Sequence, residues 1–155
     1  MKTHIIACLT LFLTVTACTG NKTTADQNNT AVNETTVDIK GQWYLENIVF
    51  NDSVYVRPAE EVPGQRQYIT FEDSTYFIQT NCNTFSGTYT LKGDSLSLGD
   101  GAMTEMACDN MATEEAIRKI LPSIATVDIE NDSIARLNSR TPSEYILLRK
   151  ATEKK

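Results

Sequence analysis

Between Asp38 and Lys150 apolar and polar residues alternate with a period of two. Ile69 and Phe71 share one face of their run, as do Tyr76 and Ile78, Tyr89 and Leu91, Leu96 and Leu98, and Val127 and Ile129. A period of two is that of a strand with one buried face. Tyr145-Ile146-Leu147-Leu148 is continuously apolar and predicts a more buried strand. The turns repeat as well. Asp-Ser occurs at Asp52-Ser53, Asp73-Ser74, Asp94-Ser95 and Asp132-Ser133, and the first three are evenly spaced. Gly93 or Asn131 precedes the last two, and such pairs tolerate the positive φ of tight hairpin turns. The chain therefore predicts successive antiparallel hairpins. The even spacing breaks between Asp94 and Asp132, where one short helix is expected near 110–121. Thr113 is its expected N-cap, with Asp109 or Asn110 as earlier alternatives. Glu114 and Glu115 lie in the first turn and Arg118 and Lys119 near the end, as the helix dipole favours. Ala116, Ile117, Ile120 and Leu121 form one apolar face, and Pro122 stops the helix. The fold class is mainly β, an antiparallel meander curled on itself with one helix plugging an end or face. Phe71, Tyr76, Ile78, Leu91, Leu98, Val127, Ile129 and Leu147 are its expected core.

The first residues carry a different pattern. Met1-Lys2 is a short positive start, and Ile5 to Val15 is mostly apolar. The run is too short to span a bilayer, which needs ~20 residues. Val15-Thr16-Ala17-Cys18 follows, an apolar residue, two small ones and a cysteine. That order is a bacterial lipobox, so 1–17 is expected to be a removable signal and Cys18 the lipidated first residue. Thr19 to Val37 has no aromatic residue and is rich in Thr, Asn and Ala. It cannot bury enough apolar surface to offset its ordering entropy, and is expected to be a flexible tether. The compact domain is expected over 38–150, with 151–155 a charged tail. No charge follows Cys18 at Thr19 or Gly20. This predicts the outer membrane, facing the periplasm.

Removal of the leader would change the chemistry available. His4, the one histidine, would be lost, and Cys8 with it. No Ser-His-Asp or Cys-His machinery would remain, nor the commonest transition-metal ligand. The whole chain has 14 Lys and Arg against 20 Asp and Glu. Nothing forms a basic patch, so nucleic acid is not an expected partner. The acidic balance also disfavours docking on anionic headgroups, which leaves membrane attachment to the lipid on Cys18. With Cys18 acylated, Cys82 and Cys108 are the remaining cysteines. In an oxidising compartment they are most simply a disulfide, with free thiols or metal ligation as alternatives. A bridge would close a loop of about 27 residues and contribute roughly 3–4 kcal/mol.

Two segments resemble the META domain, the HslJ-like family of bacterial envelope proteins. The first is Cys82-Asn83-Thr84-Phe85-Ser86-Gly87, followed by Thr88-Tyr89-Thr90-Leu91. The second is Met103-Thr104-Glu105-Met106-Ala107-Cys108, which leads into Met111-Ala112-Thr113-Glu114. Gly41-Gln42-Trp43-Tyr44-Leu45 resembles the family's first strand. The resemblance covers about 38–150. It implies a small lipocalin-like antiparallel barrel with one helix and a loose association with stress phenotypes. It supplies no catalytic residues.

Several residues are candidates for a site. Asn83, Phe85, Gly87 and Met106 are the family-motif positions. The plain reading of the first three is structural, a turn, a core filler and a close backbone approach, and ligand contact is the alternative. Met103, Met106, Cys108 and Met111 offer three thioethers and a thiol that would suit a soft ion such as Cu(I); the plain reading is packing beside the helix. Glu60-Glu61 and Glu114-Glu115 are expected on solvated surface, since neighbours in sequence make poor acid–base dyads. The Asp-Ser turns also match an O-glycan acceptor pattern in the same letters. The expected function is that of a non-enzymatic envelope lipoprotein without a cofactor. It would be a monomer that binds a partner or supports the envelope under stress. The alternative is a barrel mouth that takes a small apolar ligand or a soft metal.

Overall fold

The structure, a computed structural model, describes residues 37–152. The leader, Cys18 and the tether through Thr36 lie outside the described residues, as does most of the charged tail.

Among the described residues nine strands form in chain order: β1 (Gly41–Asn51), β2 (Val54–Val56), β3 (Tyr68–Phe71), β4 (Thr75–Gln79), β5 (Thr84–Lys92), β6 (Ser95–Met103), β7 (Ile124–Glu130), β8 (Ile134–Ser139) and β9 (Tyr145–Lys150). The helix α1 (Ala112–Ile120) and a 3-10 turn (Leu121–Ser123) lie between β6 and β7. Every pairing is antiparallel, and β3 to β9 follow one another round the sheet. β1 closes the ring. It pairs with β3 through Gly41–Tyr44 on one side and with β9 through Trp43–Val49 on the other. The result is a closed eight-stranded barrel, with β2 hairpinned onto the far end of β1.

The hairpins turn where the Asp-Ser pairs stand, at 52–53, 73–74, 93–94 and 131–133. Asn131 and Asp132 both take positive φ, 53° and 54°, and Gly93 takes 60°. These turns match the right-handed twist of their flanking strands. Inside the barrel one contiguous core runs from Ile39 and Trp43 through Phe71, Tyr76, Ile78 and Val127 to Leu148. Trp43 is fully buried and its indole N–H donates to the Ile39 carbonyl at 2.7 Å, which satisfies the single polar atom of the ring.

Four of the expected core positions hold: Phe71, Tyr76, Ile78 and Val127 are buried. Leu147 does not belong to that core. Strand alternation turns Ile146 and Leu148 inward and leaves Leu147 half-buried on the outer face. Leu91, Leu98 and Ile129 are half-buried and pack against the core from its margins. The helix start also differs. Thr113 lies buried within α1 instead of capping it, and the cap position, Met111, makes no side-chain bond. Asn110 supplies the local acceptor, its Oδ1 receiving the Ala112 N–H at 3.2 Å.

Ladder pairing round the barrel is uneven. β6 pairs with β5 from Ser95 to Met103, but with β7 only where Ser95 faces Thr126. One further bond, Val127 N–H to the Asp94 carbonyl at 2.9 Å, holds that seam. The chain between the two strands carries α1 and the 3-10 turn, which stand beside β6.

Candidate functional site

The turn between β4 and β5 holds Asn83 and brings Met106 to it, while Phe85 and Gly87 lie within β5. Asn83 is buried, and its carboxamide acts as a peptide group would. Nδ2 donates to the Met106 carbonyl at 2.9 Å, and Oδ1 accepts the Met106 N–H at 2.8 Å. Oδ1 also accepts from the Thr104 hydroxyl at 2.9 Å. Asn83 therefore clamps the loop leaving β6 by its backbone. Met106 is held through that backbone alone, and its thioether side chain is exposed. A disulfide joins Cys82 to Cys108 a little farther along the same loop, with Cα atoms 6.2 Å apart. Cys108 is thereby removed as a thiolate from the set with Met103, Met106 and Met111. Among the described residues no group of three or more His, Cys, Asp or Glu is placed to hold a metal.

Glu114 is the correction to the expected solvated pair. Glu115 is exposed, but Glu114 is fully buried. Its Oε1 accepts the Cys82 N–H at 3.2 Å and the Asn83 N–H at 3.3 Å, together with the Thr80 hydroxyl. The first turn of α1 is thus fastened to the β4–β5 turn by one carboxylate oxygen. The sequence carries a signal for this. Glu114 stands three residues before Ile117 and seven before Leu121, on the stripe that faces the barrel. Thr80 and Glu114 make a hydroxyl–carboxylate pair, but both side chains are buried and closed to a substrate. Lys92, Lys119, Glu105, Glu60 and Glu61 are exposed and do not join them.

Phe85 and Gly87 serve packing. Phe85 is a core residue. A Cβ on Gly87 would come within 2.8 Å of the Tyr76 ring, so glycine allows that ring to lie across β5. Burial raises the Tyr76 phenol above its ordinary range. On β1 burial would raise the Glu46 carboxyl. Hydrogen bonds from Arg66 at 2.6 Å and Arg149 at 3.0 Å outweigh it and hold the group below the usual carboxylate range.

Beside the clamped loop lies a groove of about 400 Å³, between the outer edge of β6 and the end of α1. Phe85, Leu98, Met103 and Leu121 give it apolar walls, and Arg118 and Asp100 supply charge. The Arg118 side chain is exposed and has no hydrogen-bond or ion-pair partner among the described residues. Leu98 was expected in the core. It lines this groove because β7 leaves β6 before reaching it.

The fold is shared with solved structures. An NMR structure of a protein from Burkholderia xenovorans is 21% identical, with a TM-score of 0.61 over 74% of this chain and 83% of that one. A second NMR structure is 23% identical, with a TM-score of 0.54 over 70% and 87%. No curated protein matches the sequence. The model of the META domain family matches residues 35–152, which span the barrel, the clamped loop and the helix, and the chain belongs to that family.

Proposed function

We propose that this protein is a non-enzymatic envelope lipoprotein, anchored through acylated Cys18, whose META barrel is a binding and support module under envelope stress. Its place is the periplasmic face of the outer membrane. What carries the domain's part of this reading is the filled barrel, whose inward side chains, from Trp43 to Leu148, make one contiguous core. A barrel of about eight strands is just wide enough for its own side chains to fill. Partners are then met on the outside. The same observation weighs against a barrel mouth for a small apolar ligand, and the Cys82–Cys108 disulfide weighs against a Cu(I) site at Met103, Met106 and Met111.

The anchor supplies reach and retention. Two or more acyl chains, each contributing ~0.8 kcal/mol per buried methylene, hold a protein on a bilayer stably. Metabolic labelling with an alkyne fatty acid tests this directly. The wild type is expected to label and to fractionate with membranes, and Cys18→Ala to do neither. Equal labelling of the two would defeat the anchoring reading. A turnover abolished by one polar substitution in the barrel would defeat the non-enzymatic one.

A further inference from the structure

We propose that the free edge of β6 is a strand-addition site for an extended peptide of a partner protein, one with apolar side chains at alternate positions and a carboxylate facing Arg118. This deepens the binding-module reading and rests on it. From Ser97 to Met103 every ladder partner of β6 belongs to β5. The opposite edge has no backbone hydrogen-bond partner among the described residues. Unpaired N–H and C=O groups along a strand are a template for another strand, which is why edges are ordinarily shielded by lysine, proline or very short length. β6 has neither Lys nor Pro; its one irregularity is a bulge at Gly99–Asp100, where the register with β5 shifts, and Gly99, Asp100, Gly101 and Ala102 are exposed. The other edge strand, β2, is shielded by its length of three residues. The free stretch of β6, Leu98 to Met103, spans about 20 Å at ~3.3 Å per residue, enough for a short added strand.

The groove beside that edge selects the occupant. Leu98, Met103 and Leu121 offer an apolar wall to every second side chain of an added strand. The unpaired guanidinium of Arg118 favours a carboxylate next to them, and forked pairing is the strongest arrangement it can make. The clamp explains how the groove stays open. Asn83 and the disulfide fix the loop after Met103, and Glu114 fixes the start of α1, so both walls are anchored to the β4–β5 turn.

The test uses the mature chain as isolated, in detergent micelles, with a phage-displayed library of random decapeptides as the probe. Enriched sequences are then synthesised. They are expected to alternate apolar residues with at least one Asp or Glu. On binding, amide exchange in Ser95–Met103 should slow at least tenfold, and Arg118→Glu should weaken an acidic peptide at least tenfold. A peptide with Lys in place of its acid should recover binding to Arg118→Glu. Arg118 is exposed, so the variant keeps the fold. No enrichment would overturn the proposal, as would binding indifferent to the charge at 118 or binding that leaves β6 exchange unchanged. A chain that sediments as a dimer, with β6 protected before peptide is added, would also overturn it, because the occupant would then be a second copy. Failure of the lipid anchor, in contrast, would show in labelling and fractionation and leave these binding results as they are.

Discussion

Two stretches of the barrel that adjoin each other are held in opposite ways. At the β4–β5 turn a handful of residues make a knot. Asn83 bonds both backbone groups of Met106, Cys82 is cross-linked to Cys108, and Glu114 receives two backbone N–H groups from the far side. Beyond it, β6 runs from Ser97 to Met103 with nothing among the described residues paired to its outer edge. The knot does not stiffen the strand directly. It fixes the loop that leaves β6 and the start of the helix whose far end lines the groove beside β6. Among the described residues a dense set of specific bonds at this turn adjoins the long unpaired stretch of β6.

The largest expected effect comes from loosening the knot. Glu114→Ala leaves the Cys82 N–H buried without an acceptor and takes from the Asn83 N–H and the Thr80 hydroxyl the carboxylate each shares with a neutral partner, and should cost roughly 4 kcal/mol in urea unfolding. Its neighbour is the control. Glu115→Ala, on the exposed face, should stay within about 0.5 kcal/mol. A smaller difference between the two would mean that the carboxylate does not hold the helix. Cys82→Ser should cost roughly 3 kcal/mol, since the sequence separation of 26 closes a loop of intermediate length. Full alkylation of both thiols in folded, unreduced protein would contradict the bridge itself.

Away from the knot the expected effects shrink. Gly87→Ala drives a methyl group into the Tyr76 ring and should cost about 2 kcal/mol by overpacking, read as a shift in the unfolding midpoint. Glu46 gives a pH dependence. Its carboxyl lies below the ordinary value of 4.5 in the folded protein, held there against burial by Arg66 and Arg149. The folded state therefore binds this proton less readily than the unfolded one. The stabilisation is present above pH 4.5 and is lost as pH falls through the lower folded value. Acid titration of unfolding should show that loss in the wild type and a shallower one in Glu46→Gln. An unchanged acid limb would mean the two arginines do not act on Glu46.

Much of the fold was legible because hairpins are local. The Asp-Ser turns, most of the period-two runs and the apolar stripe of α1 each involve residues close in sequence and were found where expected, whereas the Thr113 cap was not. The disulfide was legible from the expected compartment and the cysteine count. What was missed depended on contacts distant in the chain. Glu114 reads as half of a surface pair until Thr80 and Cys82 are brought over it, and its helical phase with Ile117 and Leu121 was the one local sign. Leu147 reads as core in an unbroken apolar run, yet alternation decides which of four adjacent residues face in. Leu98 keeps the parity of an inward residue, and only the early departure of β7 leaves it uncovered. Asn83 was legible as a motif position and read as a turn residue; its clamp was not, because its partner, the Met106 backbone, has no signature in side-chain letters.

Native-state amide exchange sets the knot against the edge in one experiment. Amides hydrogen-bonded in the knot, at Cys82, Asn83 and Met106, should be the slowest to exchange, with the buried Cys82 and Asn83 opening only through global unfolding. Amides on the outer edge of β6 between Ser97 and Met103 should exchange orders of magnitude faster, while those facing β5 stay protected. Protection of both edges of β6 to the level of the knot, in protein without added peptide, would contradict the account.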